Sequence, residues 1–278
     1  MGRLRDRMAE DLALSRRSAR TTESYLWAAR RFAAYFMRSP EDMGEEEVRT
    51  FLLYLQVERR LSAASIRLHR AALRFLYTVT LSRPEVTAAI PCPRMVLPPF
   101  DVPTPDEVKR LLDAVADRPL YRALLGVTYA CGLRLSEVIA LRPGDIDAAR
   151  GLLHVRRGKG DKGRSVMLGD KLLGELRDYW RLTRPRSPWL FPGARPGAHI
   201  SRSAVQRCVR DAAKAAQLKR RVTVHSLRHA FAIHLLEIDP DVRKLQVLLG
   251  HADLKTTQRY LHVASQRIQR TISPYDGL

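Results

Sequence analysis

Cationic residues recur beside glycines and helix ends at several points in the second half of the chain. The segments concerned are GLRLSE, which holds Arg134; RRGKGDKGR, which holds Lys159; and HSLRH, which holds His225 and Arg228. Helix ends and glycine turns present backbone N–H groups to anions, and arginine adds a permanent charge with a planar fork of donors. Each segment alone is a weak signal, because a Gly-Lys turn is more often a solvated hairpin tip. Together they predict a site for a phosphate group.

A final segment, LLGHADLKTTQRYLHV, supplies a histidine and a tyrosine. Asp239-Pro240 predicts the start of the preceding helix and Gly250 its end, which puts His251 at a helix terminus rather than in a core. Tyr260 follows nine positions later. A lone tyrosine on a helix usually packs against its neighbours, so Tyr260 by itself is a weak signal.

A metal site is the main alternative for the histidines. His225 and His229 are four residues apart and could share one helix face, yet no Glu lies beside them and no third ligand has plausible spacing. The three cysteines are far apart and lack the close pairs of zinc sites, so they are expected to be reduced thiols of an intracellular protein. The sequence predicts neither a metal nor another cofactor.

Residues 106–278 are predicted to form a mostly helical domain with one small sheet. Thr104-Pro105-Asp106-Glu107 combines a capping Thr, a proline at the first helical position and a Glu three residues after the cap. A second helix is expected from about Leu120 to Cys131, where Gly132 ends it. Residues 151–168 contain two runs rich in Val and Leu around a Gly/Lys/Asp turn, which predicts a β-hairpin. The helical pattern returns from Ser203.

Residues 1–90 are predicted to be helical throughout, with about four helices. Apolar residues recur at helical spacing in three stripes that begin near Tyr25, Val48 and Ile66. Arginines spaced three and four apart in the last of these helices would form one basic face: Arg67, Arg70 and Arg74. A merely solvated face is equally consistent with that spacing.

Between these domains, residues 91–105 hold six prolines and are expected to be a linker. The 278-residue chain has a net charge of +20, of which +5 lies in 1–90, none in 91–105 and +15 in 106–278. The charge-free stretch around the most apolar region, 123–133, is shorter than the ~18 residues of a membrane span. No secretory signal or lipidation motif is evident. Nucleic acid is therefore the favoured partner rather than a membrane.

In their order along the chain, these motifs resemble the tyrosine recombinase (phage integrase) family. The resemblance extends from the helical amino-terminal part to the last helix, and its motifs are specific to the family. It implies a mainly α fold: an amino-terminal four-helix DNA-binding domain of the SAM-like, core-binding type, then a mostly helical α+β catalytic domain with a small β-sheet. Departures at Ala230 and Asp239-Pro240 lie outside the catalytic positions and affect local loop shape.

The resemblance also implies the catalytic residues. Two arginines would hold non-bridging oxygens of the scissile phosphate, His251 would donate a hydrogen bond to it, and His225 would accept the proton of the nucleophile Tyr260. Lys159 would protonate the leaving 5′-oxygen. Glu137 would orient the pocket, although an ordinary helix-surface Glu is the alternative. The implied catalytic set is Arg134, Lys159, His225, Arg228, His251 and Tyr260.

The implied activity is site-specific cleavage and rejoining of double-stranded DNA through a covalent 3′-phosphotyrosyl intermediate, without metal or ATP. The enzyme would be cytoplasmic, would clamp DNA between its domains and would act as a homo-tetramer on two sites, with a mobile-element integrase favoured. A type IB topoisomerase is the alternative enzyme, and a regulatory DNA-binding module without catalysis is the alternative of another class. The target DNA sequence is not encoded in any pattern that these motifs reveal.

Overall fold

A computed structural model describes residues 2–94, 101–156, 163–251 and 253–260. The chain divides into two compact units, 1–98 and 99–278, and the division falls inside the proline-rich segment 91–105. Both units are mainly helical and the second contains a small sheet, which confirms the predicted fold class. Among the described residues, no helix is long and apolar enough to cross a membrane.

The described part of the first unit contains four long helices, in agreement with the stripes in its sequence, and one short helix. Ser18 and Ser62 cap the second and fourth long helices by accepting hydrogen bonds from the N–H groups of Thr21 and Ser65. A π-helical turn, Leu76–Thr80, continues the fourth helix. The helices are α1 Gly2–Leu14, α2 Ala19–Phe36, α3 Glu45–Val57, α4 Ala63–Phe75 and α5 Glu85–Ala88.

The core of the first unit is built on aromatic rings from these helices. Phe32 of α2 and Phe51 of α3 pack edge to face with 5.4 Å between ring centroids, and both are buried. Tyr77 is also buried, and its hydroxyl donates to the carbonyl of Pro40 at 3.0 Å. Apolar burial of this kind supplies most of the stability of an amphipathic helix.

The predicted basic face of α4 has a partly structural role. Arg70 donates from Nε and Nη2 to the carbonyl of Ile90 at 2.9 and 2.6 Å, and Arg67 donates to the carbonyl of Pro93 at 3.3 Å. Two of the three arginines therefore hold the end of the first unit against α4. Arg74 is exposed.

The second unit begins at the predicted capping box. Thr104 Oγ1 accepts from the Glu107 N–H at 3.2 Å, and the Glu107 carboxylate accepts from the Thr104 N–H at 2.9 Å. The next helix ends at Ala130, and Gly132 follows with φ +60°. The described helices of this unit are α6 Pro105–Asp113, α7 Pro119–Ala130, α8 Leu135–Val138, α9 Asp170–Thr183, α10 Arg202–Ala215, α11 Val224–Ile238, α12 Val242–Leu249 and α13 Leu254–Gln258.

The predicted hairpin is present, and one more strand extends it. Strands β2, Leu152–Val155, and β3, Arg164–Met167, pair antiparallel with Leu153 opposite Val166. The additional strand β1, Ile146–Asp147, pairs with β2. The hairpin turn, residues 157–162, lies outside the described residues, so the prediction for Lys159 has no structural counterpart here.

Helix α7 lies at the centre of the second unit, packed against α9 on one side and α11 on another. Its residues Leu124, Leu125 and Val127 are fully buried. Cys131 and Cys208 are buried as well, whereas Cys92 of the first unit is exposed. Arg228, in the second turn of α11, donates a hydrogen bond to the carbonyl of Gly132, so the residues that follow α7 lie close to the first half of α11.

Helix α12 begins two residues later than Asp239-Pro240 predicts. The capping residue is Asp241, whose Oδ1 accepts from the N–H groups of Arg243 and Lys244 at 2.9 and 3.0 Å. The predicted end is correct: Gly250 has φ +61°, the left-handed conformation that glycine adopts most easily.

Candidate active site

Arg134 is placed by the turn that follows α7. The left-handed Gly132 reverses the chain, and Arg134 then stands at the N-cap of α8. Its backbone N–H donates to Glu137 Oε2 at 2.8 Å, and its Nη1 donates to Oε1 at 2.7 Å. Glu137 thus fixes both the backbone and the guanidinium of Arg134.

The Glu137 carboxylate is buried, with a side chain only 2% exposed, and it holds three guanidiniums. Arg164 of β3 binds it through two hydrogen bonds of 2.9 Å, and Arg228 Nη1 lies 3.6 Å from Oε2. Burial by itself would raise the pKa of Glu137. The hydrogen bonds and charge of Arg164, with those from Arg134, outweigh burial and lower the pKa to about 2. The carboxylate is therefore ionised at neutral pH.

Arg228 joins three elements at the centre of the site. It is 1% exposed, and it donates to the carbonyls of Gly132 and Leu249 at 2.7 Å each. Its Nη2 also lies 3.2 Å from His251 Nε2. Burial and the charge of Arg134 lower its pKa to about 10, which leaves it protonated at neutral pH. Arg228 is therefore a fixed cation that ties the ends of α7 and α12 to α11.

His251 is neutral in this arrangement, and its tautomer follows from its partners. A guanidinium can only donate, so His251 Nε2 accepts from Arg228. The proton then lies on Nδ1, which donates to Thr257 Oγ1 at 2.9 Å. Burial and the charges of Arg228 and Arg134 lower the pKa of His251 to about 4. Without DNA, His251 Nε2 is thus an acceptor for Arg228.

The phenol of Tyr260 is enclosed by two histidines. Tyr260 is 2% exposed, and its Oη lies 2.7 Å from Nδ1 of His229. The ring of His251 is almost parallel to the phenol ring, with 6.4 Å between centroids. Burial raises the pKa of Tyr260, and the charges of Arg228 and neighbouring arginines oppose that rise only in part. The phenol is therefore protonated.

The two histidines of α11 form a pair. His225, in the first turn of the helix, is exposed, and its ring meets that of His229 with 4.2 Å between centroids. Burial, the adjacent His225 imidazole, which would repel a second charged ring, and the charge of Arg228 lower the pKa of His229 to about 3. Partial loss of hydration and the charges of Arg228 and Arg134 also lower the pKa of His225. Both imidazoles are neutral at neutral pH.

The structure thus brings five of the six predicted catalytic residues into one connected cluster in the second unit. They are Arg134, His225, Arg228, His251 and Tyr260. Lys159 lies outside the described residues. His225 was expected to accept the phenol proton. The described hydrogen bond of the phenol is to His229, whose ring in turn meets that of His225.

Sequence reasoning did not assign roles to Arg164 or Thr257, which also shape the cluster. Arg164 donates to Glu137 and, through Nε, to the carbonyl of Leu248 at 2.7 Å. Thr257 is buried against His251. The sequence around Arg164 is typical of a solvated basic turn. Only its position on a strand could have indicated that it has a role in the site.

In the described residues, no group of three His, Cys, Asp or Glu side chains is placed to hold a metal ion.

A mostly helical unit that gathers guanidiniums, histidines and a buried tyrosine behind a small sheet has the features of the tyrosine recombinases, enzymes that break and rejoin DNA strands. Residues 102–267 match the model of the phage integrase family, and residues 4–85 match the phage integrase N-terminal SAM-like domain. The chain belongs to the phage integrase family and is an enzyme of this strand-breaking and rejoining class.

Relatives and solved structures agree with this assignment. The integrase/recombinase y4qK of Sinorhizobium fredii is 45% identical over 99% of this chain and 89% of its own length. The tyrosine recombinase XerC of Xanthomonas axonopodis pv. citri is 40% identical over 76% of this chain and 72% of its own. A lambda integrase tetramer bound to a Holliday junction has the same fold, with a TM-score of 0.76 at 20% identity, over 93% of this chain and 76% of that one.

Proposed function

We propose that this protein is a site-specific recombinase that cleaves and rejoins DNA through a covalent 3′-phosphotyrosyl intermediate. The observation that carries the proposal is a single cluster, connected by ion pairs, hydrogen bonds and a ring contact, that contains Arg134, Arg228, His251 and the enclosed phenol of Tyr260. A phosphodiester gains negative charge in its transition state, and fixed guanidiniums stabilise that charge without reorganisation.

Arg134 and Arg228 would bind the non-bridging oxygens of the scissile phosphate. Glu137 is one carboxylate among three guanidiniums, so the cluster has a surplus of positive charge that an anionic phosphate offsets. His251 would donate to a phosphate oxygen once it carries a proton on Nε2. A bound phosphate favours this change because it counters the cations that now lower the pKa of His251.

In the proposed reaction, Tyr260 Oη attacks the phosphorus, the bond between phosphorus and Oη forms, and the bond to the 5′-oxygen breaks. Lys159 would protonate that leaving oxygen, and the His225–His229 pair would accept the phenol proton. The phosphotyrosyl bond conserves the energy of the broken phosphodiester, so a 5′-hydroxyl can reverse the attack without ATP. No metal enters this scheme.

The DNA partner follows from charge and from the similar proteins. The net charge of +20 and its presence in both halves of the chain favour binding to a phosphate backbone. We propose that each of the two units binds duplex DNA, and that four protomers act on two sites, as the tetramer of the structurally similar lambda integrase suggests. We further propose that the protein acts in the cytoplasm on the DNA of a mobile element.

The test is capture of the intermediate. Binding sites are first selected from a random DNA pool, and nicked suicide substrates that carry the selected site are then mixed with the protein. We expect a denaturant-resistant protein–DNA adduct with wild type and none with Tyr260→Phe. Tyr129→Phe is the matched control, since the hydroxyl of Tyr129 is likewise hydrogen-bonded to a histidine of α11.

Two results contradict the proposal: no adduct with wild type, or as much adduct with Tyr260→Phe as with wild type. Relaxation of supercoils by dilute protein on DNA that lacks a selected site would indicate a topoisomerase instead. Binding of the selected sites without any cleavage would indicate a regulatory module.

A further inference from the structure

The hydrogen bond between Tyr260 Oη and His229 Nδ1 joins the proposed nucleophile to one member of the histidine pair. Its length is 2.7 Å, and the side chain of Tyr260 is almost fully enclosed. We propose that His229 is a catalytic residue: it takes the proton from Tyr260 as the phenol attacks and returns it on rejoining. This inference rests on the proposed function and names the member of the histidine pair that acts.

Geometry favours His229 over His225 for this step. A general base must lie within hydrogen-bond reach of the proton it takes, about 2.6–3.2 Å between heavy atoms. His229 Nδ1 meets that condition, and its ring lies 5.5 Å from the phenol ring between centroids. The described contact of His225 in this cluster is with the His229 ring. In the neutral pair, Tyr260 donates, His229 Nδ1 accepts, and the imidazole proton lies on Nε2.

Before a substrate binds, the proton of the Tyr260 phenol does not move to His229. Positive or partly positive groups surround His229 and, with burial, lower its pKa to about 3, while burial raises the pKa of Tyr260. Proton transfer in the DNA-free protein would place a second charge beside these cations. Among the described residues, the titratable and charged groups that act on the pair include His225 and Arg228 of α11, Arg134 before α8, His251 after α12, and Arg259 after α13.

Binding of the substrate makes proton transfer from Tyr260 to His229 more favourable. A phosphate held by Arg134 and Arg228 offsets the cations that disfavour a charged imidazole, so the basicity of His229 rises as DNA binds. The proton then moves from Oη to Nδ1, the electron pair of Oη forms the bond to phosphorus, and the 5′-oxygen departs with a proton from Lys159. His229 holds the transferred proton as an imidazolium until the 5′-hydroxyl attacks and the phenol is restored.

The same helix provides an internal comparison. His234 Nδ1 of α11 forms a hydrogen bond of 2.8 Å with the hydroxyl of Tyr129; His234 is buried and Tyr129 is half-buried. Burial lowers the pKa of His234, but no arginine contributes to that shift. His234–Tyr129 is therefore a structural pair of the same chemistry, outside the cluster that would hold phosphate.

The experiment measures single-turnover adduct formation on the nicked substrate for wild type, His229→Asn and His234→Asn. Asparagine places a carbonyl oxygen near the position of Nδ1, so it accepts the hydrogen bond from Tyr260 but cannot take the proton. We expect the rate for His229→Asn to fall by about 10²–10⁴-fold, the usual contribution of a general base. His234→Asn should stay within about threefold of wild type if it folds equally well.

The pH profile separates proton transfer from positioning. Without an internal base, hydroxide must remove the proton, so the His229→Asn rate should rise about tenfold per pH unit and its deficit should shrink between pH 7 and 9. A deficit that is constant across pH, or a rate within threefold of wild type, overturns the inference. His229→Gln is the second variant, and retained melting temperature and DNA affinity show that each is folded. If wild type itself forms no adduct, the proposed function fails and this inference fails with it.

Discussion

Glu137 is the residue on which the geometry of the cationic cluster depends. It binds Arg134 and Arg164 directly and lies near Arg228, yet it supplies one negative charge against three positive ones. Removing one partner of a buried ion pair leaves uncompensated charge and commonly costs about 3–5 kcal/mol. Glu137 therefore has two effects: it keeps the guanidiniums close together, and it leaves part of their charge for a ligand.

Glu137→Gln should destabilise the folded protein to an extent that depends on pH. The pKa of Glu137 is lowered to about 2 in the folded protein, so its stabilising effect is complete above the pKa of the unfolded chain and is lost as pH falls toward 2. We expect the substitution to reduce the free energy of unfolding by about 3–5 kcal/mol at pH 7. The difference from wild type should shrink between pH 5 and pH 2, as measured by denaturant unfolding.

Glu175→Gln is the control for that experiment. Glu175 is half-buried and pairs with Arg122 at 3.1 Å, so its loss should cost no more than about 1 kcal/mol. An equal loss of stability for Glu137→Gln at pH 7 and at pH 2 would show that the carboxylate charge does not stabilise the cluster.

At the scale of elements, two left-handed glycines place the site residues at helix ends. Gly132 follows α7 and offers its carbonyl to Arg228, and Gly250 follows α12 and precedes His251. A Cβ at position 132 would lie 2.3 Å from a ring carbon of Phe231. The end of α7 is therefore packed directly against the helix that carries Arg228 and His229.

Gly132→Ala should destabilise the folded protein. The left-handed backbone costs a non-glycine residue about 1–2 kcal/mol, and overpacking against Phe231 adds about 1–3 kcal/mol. We expect a loss of about 2–5 kcal/mol in unfolding free energy and a parallel loss of adduct formation. Gly174→Ala, inside α9 and without a neighbour that a Cβ would meet, should instead stabilise the protein by about 0.5–1 kcal/mol. A neutral Gly132→Ala would contradict the role given to this turn.

Local signals in the sequence predicted several elements well. The capping box at Thr104, the stop at Gly132 and the hairpin around 151–168 are correct, because each depends on neighbouring residues. The predictions omitted β1, whose two residues are too short for a periodic pattern, and α9, which was not singled out. The start of α12 was misplaced because Asp241 caps it, although Asp239-Pro240 has the stronger sequence signal.

The candidate site was predictable in its residue types but not in all of its contacts. His225 and His229 are one helical turn apart, so spacing alone does not decide which ring meets Tyr260. That choice depends on where the turn after α13 places the phenol relative to α11, which is a tertiary property. The role of Arg164 depends in the same way on β3 lying beside α8 and the end of α12.

At the scale of the whole molecule, the net charge of +20 serves two different tasks. Most of it should contribute to salt-dependent binding of DNA, with a slope of log affinity against log salt set by the number of phosphates contacted. A few cations are confined to the proposed catalytic cluster and already have hydrogen-bond or ion-pair partners there. Arg228, for example, is buried and bonded to two carbonyls.

Two substitutions test this division. Arg74 is exposed on α4, and Arg74→Gln should weaken binding to all sequences and reduce the salt slope by about one phosphate contact. Arg134→Ala should leave affinity nearly intact and abolish adduct formation. Affinity is measured by fluorescence anisotropy over a range of salt concentrations. Comparable losses of affinity in the two variants would refute the division.

The three cysteines give the molecule a property of practical use. Cys131 and Cys208 are buried. Burial raises the pKa of the Cys131 thiol to about 12 and also raises the pKa of the Cys208 thiol, which suppresses both thiolates. Cys92 is exposed and lies at the end of the first unit, in the segment where the chain divides. Of the three, a maleimide fluorophore should therefore modify Cys92 selectively, so the natural sequence accepts a reporter at its interdomain segment without mutagenesis.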